Sequence, residues 1–142
     1  MLKPGDHGST FGGNPLAAAV ALEALEVLVD ERLCERSAGL GAELLRELRR
    51  IASPLILDVR GRGLFIGVEL DPRMVTAHEA ALVFLQHGIL TKDTHDTVIR
   101  FAPPLTIERD TLDEAVDRIR GAFAELDATH ARDARRQAPM PA

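Results

Sequence analysis

The sequence has few aromatic residues, one cysteine, two lysines and no long apolar segment. Its 142 residues include five Phe but no Trp or Tyr, and the single cysteine is Cys34. One cysteine cannot form a disulfide within the chain, which fits a reducing compartment. No apolar run is long enough to span a membrane, and no signal peptide follows Met1. We therefore expect a cytoplasmic protein that has no membrane partner.

Positive charge is also scarce, since the formal net charge is −5. A nucleic-acid partner normally requires a positive patch that replaces the counterions of the phosphates, so we expect no such partner. Metal binding has no support either, because no spacing of histidine and cysteine matches a zinc site. The histidines are dispersed along the chain: His7, His78, His87, His95 and His130.

Length and composition predict one small α/β layer structure. A hydrophobic fraction of 46% and a charged fraction of 27% are ordinary for a folded domain. Apolar periodicity and β-branched runs predict a small antiparallel or mixed sheet that is covered by helices. The predicted helices are 15–30, 32–51, 75–86 and 108–126, and the predicted strands are 55–60, 64–70, 89–91 and 98–102.

The helices and the C-terminal end have further predicted properties. The apolar face of helix 15–30 is so wide that we expect it to pack on two sides. In helix 32–51 we expect ion pairs between charged residues of the same helix. Residues 128–142 show no periodicity, which predicts a mobile tail. In helix 75–86 we expect three side chains to point inward: Leu82, Val83 and Leu85.

A glycine-rich stretch lies directly before the first predicted helix. Its glycines allow a ligand to approach the backbone, Ser9 and Thr10 supply hydroxyl donors, and a helix N-terminus attracts anions. The pattern therefore indicates a site for an anion such as phosphate. A capped helix start is the alternative, since Asn14 suits the N-cap and Pro15 the first helical position. Asn14-Pro15 also stands where a P-loop requires Lys and Ser/Thr, which argues against a nucleotide triphosphatase.

Four separated motifs resemble those of one enzyme family. They are, in chain order, His7-Gly8-Ser9-Thr10-Phe11-Gly12-Gly13-Asn14-Pro15, Val59-Arg60-Gly61-Arg62-Gly63-Leu64, Gly88-Ile89-Leu90-Thr91-Lys92 with Thr94-His95, and Ile99-Arg100-Phe101-Ala102-Pro103-Pro104-Leu105. By these motifs the sequence resembles the class III pyridoxal-phosphate aminotransferases, and within them the ornithine aminotransferases. The resemblance covers about residues 3–126. Four motifs in the family's order are far more specific than any single glycine loop.

The resemblance implies a fold, a domain organisation and an activity. Residues 1–30 correspond to the end of the family's large domain, with the cofactor-phosphate loop and a linking helix. Residues 31–127 correspond to the C-terminal small domain of a fold-type I pyridoxal-phosphate-dependent transferase, and residues 128–142 to a flexible tail. The implied activity moves the δ-amino group of the amino-acid substrate ornithine to a 2-oxo acid, with pyridoxal 5'-phosphate as cofactor.

Three residues match positions that bind ligands in the family. Ser9 and Thr10 match residues that reach across a dimer interface to the cofactor phosphate of the other subunit. Arg100 matches the arginine near the substrate carboxylate, and a planar guanidinium suits bidentate carboxylate binding. Without the resemblance, a salt bridge on a sheet edge is the simpler role for Arg100. His95 has no visible partner in its loop, so we do not count it as catalytic.

The lysine that the family requires has no counterpart in this sequence. Transamination needs a lysine that forms a Schiff base with the cofactor, and the family's lysine lies upstream of the His-Gly-Ser-Thr loop. Neither Lys3 nor Lys92 has the family's sequence context, so we predict an incomplete cofactor site, no catalytic residue and no activity of the chain alone. The expected partner is the upstream half of the same enzyme, or a second copy in a homodimer. The alternatives are an acetylornithine or 4-aminobutyrate aminotransferase, and a noncatalytic interaction remnant.

Overall fold

The computed structural model describes residue 3 and residues 7–137, the last five of them by their backbone alone. Two compact units make up the chain, Met1–Cys34 and Glu35–Ala142. The domain organisation that the resemblance implies, with boundaries after residues 30 and 127, stays a prediction.

The local sequence sets the start of the first helix, which lies in the first unit. Helix α1 spans Pro15–Asp30, as predicted. Asn14 is its N-cap, and the Asn14 side chain accepts a hydrogen bond from the Ala17 N–H at 2.8 Å. Pro15 occupies the first helical position, where its missing N–H removes no helical hydrogen bond. The capped helix start predicted from Asn14-Pro15 is therefore confirmed.

Helix α1 has a wide apolar surface but no buried residue. Apolar side chains that form a continuous exposed patch mark a surface that another molecule or segment covers. The two-sided packing expected of this helix is not present among the described residues of its unit. Five large apolar side chains of the helix are between 60% and 75% exposed: Leu16, Val20, Leu22, Leu25 and Val29.

The second unit is built on a four-stranded antiparallel sheet. Its strands, numbered along the chain, are β1 Ile56–Arg62, β2 Phe65–Leu70, β3 Lys92–Thr94 and β4 Val98–Phe101. Their spatial order is β1-β2-β4-β3, and every pairing is antiparallel. The α/β fold class is confirmed, and the sheet is antiparallel and not mixed. The strand predicted at 89–91 is wrong, because β3 pairs with β4 across the tight turn at residues 95–97 and therefore begins only at residue 92.

Three helices share a hydrophobic core with one face of this sheet. They are α2 Leu33–Arg49, α3 Ala77–Gln86 and α4 Arg109–Gln137. Phe84 of α3 is fully buried, and its ring contacts Phe101 and Phe123 edge-to-face at centroid distances of 5.5 and 5.2 Å. Alternate strand residues face the same core, namely Val59, Ile66, Val68, Ile99 and Phe101.

Helix α3 turns a different face inward from the one predicted. Its buried residues are Ala77, Ala80 and Phe84, whose spacing of three and four places them on one side of the helix. Leu82 and Leu85, which were expected to point inward, are 49% and 55% exposed, and Val83 is partly buried against the core. The two ring contacts of Phe84 determine which face of the helix enters the core.

The predicted end of helix α4 at Leu126 is wrong, because the helix continues to Gln137. The added segment is rich in alanine and arginine and contains neither proline nor glycine, so it favours a helix. Within it, Arg132 donates hydrogen bonds to the Ala128 carbonyl and to the Thr129 hydroxyl. Residues 138–142 of the predicted tail lie outside the described residues.

Ion pairs join helices α2 and α4 on their exposed side. Arg109 donates to both carboxylate oxygens of Glu43, and Arg120 donates to Glu47 at 2.6 Å. Glu47 forms an ion pair with Arg46 of the same helix at 3.5 Å and accepts a hydrogen bond at 2.8 Å from Arg50, which directly follows the helix. The hydrogen bonds from Arg109 hold the pKa of Glu43 below its usual value.

Candidate functional site

One candidate region, in the first unit, is the turn before helix α1. The Asn14 N–H donates to the Phe11 carbonyl at 3.3 Å, which closes a four-residue turn. Gly13, at the third position of this turn, has φ +79°, a left-handed conformation that glycine adopts without strain. Ser9 and Thr10 precede this turn and are exposed. Within the described residues neither hydroxyl has a hydrogen-bond partner, so both can donate to a ligand.

The N-terminus of helix α1 adds little to these hydroxyls. Pro15 has no N–H, and the Ala17 N–H is bonded to Asn14 Oδ1 at 2.8 Å. The Ala18 N–H is bonded to the Asn14 carbonyl at 3.1 Å. The helix end therefore satisfies most of its own donors, and the exposed hydroxyls are the groups that this segment offers to an anion.

A separate candidate region is the open face of the sheet in the second unit. Strand residues alternate between the core and this face. Gly67 of β2 is paired with Arg60 of β1 on one side and with Arg100 of β4 on the other. Lys92 of β3 is the partner of Arg100 on its far side. Three cations and one glycine thus form a row across the four strands, which we call the cation row.

Two cations of this row have carboxylate partners. Arg60 donates to Asp58 at 3.0 Å and to Glu69 at 2.6 Å, and these two contacts raise the pKa of Arg60. Lys92 donates to Asp93 at 3.0 Å and holds the pKa of that carboxyl below its usual value. The charges of Arg60 and Lys92 are therefore matched within the chain.

Arg100 is the member of the cation row that has no carboxylate partner within the described residues. Its guanidinium carbon lies 5.5 Å from the centre of the Phe65 ring, a distance typical of a cation–π contact. Because β4 is an inner strand, the alternative of a salt bridge at a sheet edge is not observed. An arginine with an unmatched charge beside a cavity is suited to bind a carboxylate. The cavity, of about 310 Å³, is lined by Arg60, Gly61, Arg62, Phe65, Gly67, Thr94, Val98 and Arg100.

The remaining residues considered in the sequence have no such arrangement. His95 lies exposed in the β3–β4 turn with φ +53°, and Cys34 is exposed on α2.

Phe65 was not identified from the sequence, although a signal for it exists. The alternation of β2 places Phe65 on the same face as Gly67, and antiparallel pairing with β4 brings it near Arg100.

Ser9 and Thr10 belong to the first unit, and Arg100 belongs to the second. Their contacts with ligands stay predictions.

No helix of the described residues combines the length and the apolar character needed to cross a membrane. Over the same part of the chain, no three His, Cys, Asp or Glu residues are grouped so that they could hold a metal ion.

Comparison with protein families gives a match over most of the chain. The family described as aminotransferase class-III matches residues 1–123. The chain belongs to the class-III aminotransferases. This match confirms the family that the four sequence motifs indicated. Enzymes of this family depend on pyridoxal phosphate.

Relatives and solved structures agree with this family. The ornithine aminotransferase of Staphylococcus carnosus is 56% identical over 124 residues, which are 87% of this chain and 31% of that enzyme. The solved ornithine aminotransferase of Toxoplasma gondii matches with a TM-score of 0.82 and 44% identity, over 91% of this chain and 31% of that one. Acetylornithine aminotransferase of Elizabethkingia anophelis matches with a TM-score of 0.76 and 43% identity, over 87% and 33%. The chain thus spans about a third of the length of these relatives.

Proposed function

We propose that this chain is the C-terminal part of an ornithine aminotransferase. The reaction moves the δ-amino group of ornithine to a 2-oxo acid and yields glutamate semialdehyde and an amino acid. Curated relatives of that name, 52–56% identical over most of this chain, support the choice of substrate. The cytoplasmic location and the homodimer stay predictions, and we propose with them a role in arginine and proline metabolism.

The observation that carries the proposal is the unmatched charge of Arg100. Both other cations of its row are bonded to carboxylates of the chain, whereas Arg100 lines a cavity, contacts the Phe65 ring and has no carboxylate partner within the described residues. All substrates of an amino-acid transaminase carry a carboxylate. We propose that Arg100 binds this carboxylate, because a guanidinium can donate two parallel hydrogen bonds to it.

Ser9 and Thr10 are proposed to donate hydrogen bonds to the phosphate of pyridoxal phosphate. Their hydroxyls are exposed and lack partners within the described residues, which fits a phosphate group that accepts several hydrogen bonds. When bound, the cofactor supplies the electron sink for transfer of an amino group. The two residues hold and orient one end of it.

The groups that react with the cofactor are proposed to come from another part of the enzyme. The chain has only two lysines. Lys92 lies on the edge strand β3 and is bonded to Asp93, so it is unsuited to carry the cofactor, and Lys3 lacks the family's sequence context. We therefore propose that the chain does not catalyse transamination alone.

The test uses an enzyme assembled from this chain and the upstream part of the S. carnosus ornithine aminotransferase, as two chains or as one fused chain. We expect glutamate formation from ornithine and 2-oxoglutarate by the assembled enzyme and none by this chain with added cofactor. Arg100→Gln in the assembled enzyme should raise the KM for 2-oxoglutarate about 10- to 100-fold, because a charge-assisted pair is lost. Arg100→Lys should give a smaller effect.

The same assay separates the alternatives. Faster turnover with N-acetylornithine or 4-aminobutyrate than with ornithine would assign the chain to one of those branches. Stable assembly without turnover by any of these donors would favour a noncatalytic interaction module, for which the exposed apolar surface of α1 is the supporting observation. Turnover by the chain alone would contradict the proposal that the reacting lysine lies elsewhere.

A further inference from the structure

An aromatic ring contacts the guanidinium of Arg100 on the open face of the sheet. Phe65 is 60% exposed, so its ring is not part of the core. It lies two residues before Gly67, the register partner of Arg100, and the ring and the guanidinium therefore meet diagonally across β2 and β4. Gly67 itself has no side chain that could hold Arg100.

The chemistry of the neighbouring side chain decides whether a cation of the row is still available to bind an anionic ligand. Arg60 contacts Asp58 and Glu69, and its charge is matched within the sheet. A phenyl ring attracts a guanidinium through its quadrupole but carries no net negative charge. Contact with Phe65 therefore restricts the position of Arg100 and leaves its charge available.

The position of Lys92 next to Arg100 makes the contact between Phe65 and Arg100 more important. Lys92 is paired with Arg100 in the register of β3 and β4, so two cations lie on directly opposite positions of the sheet. Opposed like charges are unfavourable, and the Asp93 carboxylate is bonded to Lys92 and not to Arg100. The ring of Phe65 offsets part of this repulsion without supplying an acid.

We propose that Phe65 is a positioning residue, which holds the Arg100 guanidinium in the orientation that receives the carboxylate of an amino-acid or 2-oxo-acid substrate. This inference rests on the proposed function of Arg100. A cation–π contact at an exposed site corresponds to a change of about two- to fivefold in an equilibrium constant. Loss of the ring therefore weakens carboxylate binding by about that factor and leaves the rate of the bound substrate unchanged.

The test compares Phe65→Leu, which removes the ring but stays apolar, with Phe65→Tyr, which keeps the ring. In the assembled enzyme, Phe65→Leu should raise the inhibition constant of glutarate and the KM for 2-oxoglutarate about two- to fivefold, with kcat unchanged. Phe65→Tyr should match the wild type. A merely structural role of Phe65 would lower kcat or the amount of folded enzyme instead of changing KM alone.

Two outcomes would overturn the inference, and they differ. If Arg100→Gln weakens glutarate inhibition but Phe65→Leu does not, the positioning role is wrong while the proposed function of Arg100 stands. If neither variant changes glutarate inhibition, the proposed function of Arg100 is wrong and the inference falls with it.

A second measurement uses the 142-residue chain without any ligand. The ring current of Phe65 should shift the Arg100 Nε–H resonance in a nitrogen–proton NMR spectrum, and Phe65→Leu should remove this shift. The Arg60 resonance serves as the internal control, because Arg60 is held by carboxylates and not by the ring. An Arg100 resonance that is unaffected by Phe65→Leu would overturn the contact.

Discussion

Replacing Gly41 with alanine should destabilise the second unit, although alanine normally favours a helix. A Cβ on Gly41 would lie 2.1 Å from the carbonyl carbon and the carbonyl oxygen of Gly63. Gly63 belongs to the turn between β1 and β2, and this turn is held by Ser37, whose hydroxyl accepts from the Leu64 N–H at 3.1 Å. The backbone of α2 therefore contacts the backbone of this turn and leaves no space for a methyl group.

Gly39 provides the matched control in the same helix. A Cβ there would meet no atom within 4 Å, so Gly39→Ala should stabilise the unit by about 1 kcal/mol through helix propensity alone. At Gly41 the same gain is opposed by a clash with backbone atoms, which cannot rotate away as a side chain can. Overpacking costs about 1–3 kcal/mol, and at the upper end of that range a net loss of about 2 kcal/mol remains.

Thermal and urea unfolding of the two variants and the wild type, followed by circular dichroism, measures these effects. For a unit of this size 1 kcal/mol corresponds to about 4 °C in Tm, so Gly41→Ala should lower the Tm by about 8 °C while Gly39→Ala raises it. Because the affected turn leads into Phe65, Gly41→Ala should also disturb the open face of the sheet. A Gly41→Ala chain as stable as the wild type would refute the close approach of α2 to the turn.

Further predictions concern pH, the core and the cofactor. Arg73 contacts Asp71 through its side chain and its backbone N–H and lowers the pKa of Asp71 from 3.8 to about 2. The stability that Asp71 contributes is therefore complete above about pH 5 and is lost as the pH falls towards 2. Over that range the urea midpoint of Asp71→Asn should fall less steeply with decreasing pH than that of the wild type. Parallel pH profiles of the two midpoints would contradict this. Phe84→Ala should cost about 3–5 kcal/mol of unfolding free energy, whereas Leu85→Ala, exposed on the same helix, should change it by less than about 0.5 kcal/mol; equal losses would argue against the described rotation of α3. Thr10→Val should weaken retention of pyridoxal phosphate by the assembled enzyme about 10-fold during dialysis, with Thr10→Ser as the control that keeps the hydroxyl, and equal retention by both would contradict the phosphate contact.

Elements that depend on local signals were predictable from the sequence. The Asn14-Pro15 cap places the start of α1, and β-branched runs on both sides of a glycine turn place β1 and β2 within a residue or two. Strand β3 lacks such a signal, because Lys-Asp-Thr has no strand-like pattern and the segment is a strand only through its pairing with β4. The inward face of α3 likewise depends on the two aromatic rings that Phe84 contacts, and spacing within the helix does not contain that information.

The candidate site divides in the same way. The family resemblance was sufficient to single out Arg100, but its unmatched charge could be recognised only from the register of four strands. The nearby carboxylates are bonded to the other two cations: Asp58 and Glu69 to Arg60, and Asp93 to its chain neighbour Lys92. The alternation of β2 indicates the face on which Phe65 lies, but its proximity to Arg100 follows only from the pairing of β2 with β4. The chemistry of single residues was therefore predictable, whereas their partners across the sheet were not.

Helix α1 has local signals that favour a helix, but its apolar face is not packed within its own unit. Its cap, its proline at the first position and its Ala-, Leu- and Glu-rich sequence all favour a helix, and these signals are local. A helix of 16 residues is nevertheless close to the length below which isolated helices are marginal in water, and most helical stability in proteins comes from a packed apolar face. In its own unit this face is exposed, so local propensity alone does not account for a stable α1. The stabilisation that is missing is of the kind that a covering apolar protein surface provides, which is an independent reason to propose that the chain works together with another part of an aminotransferase.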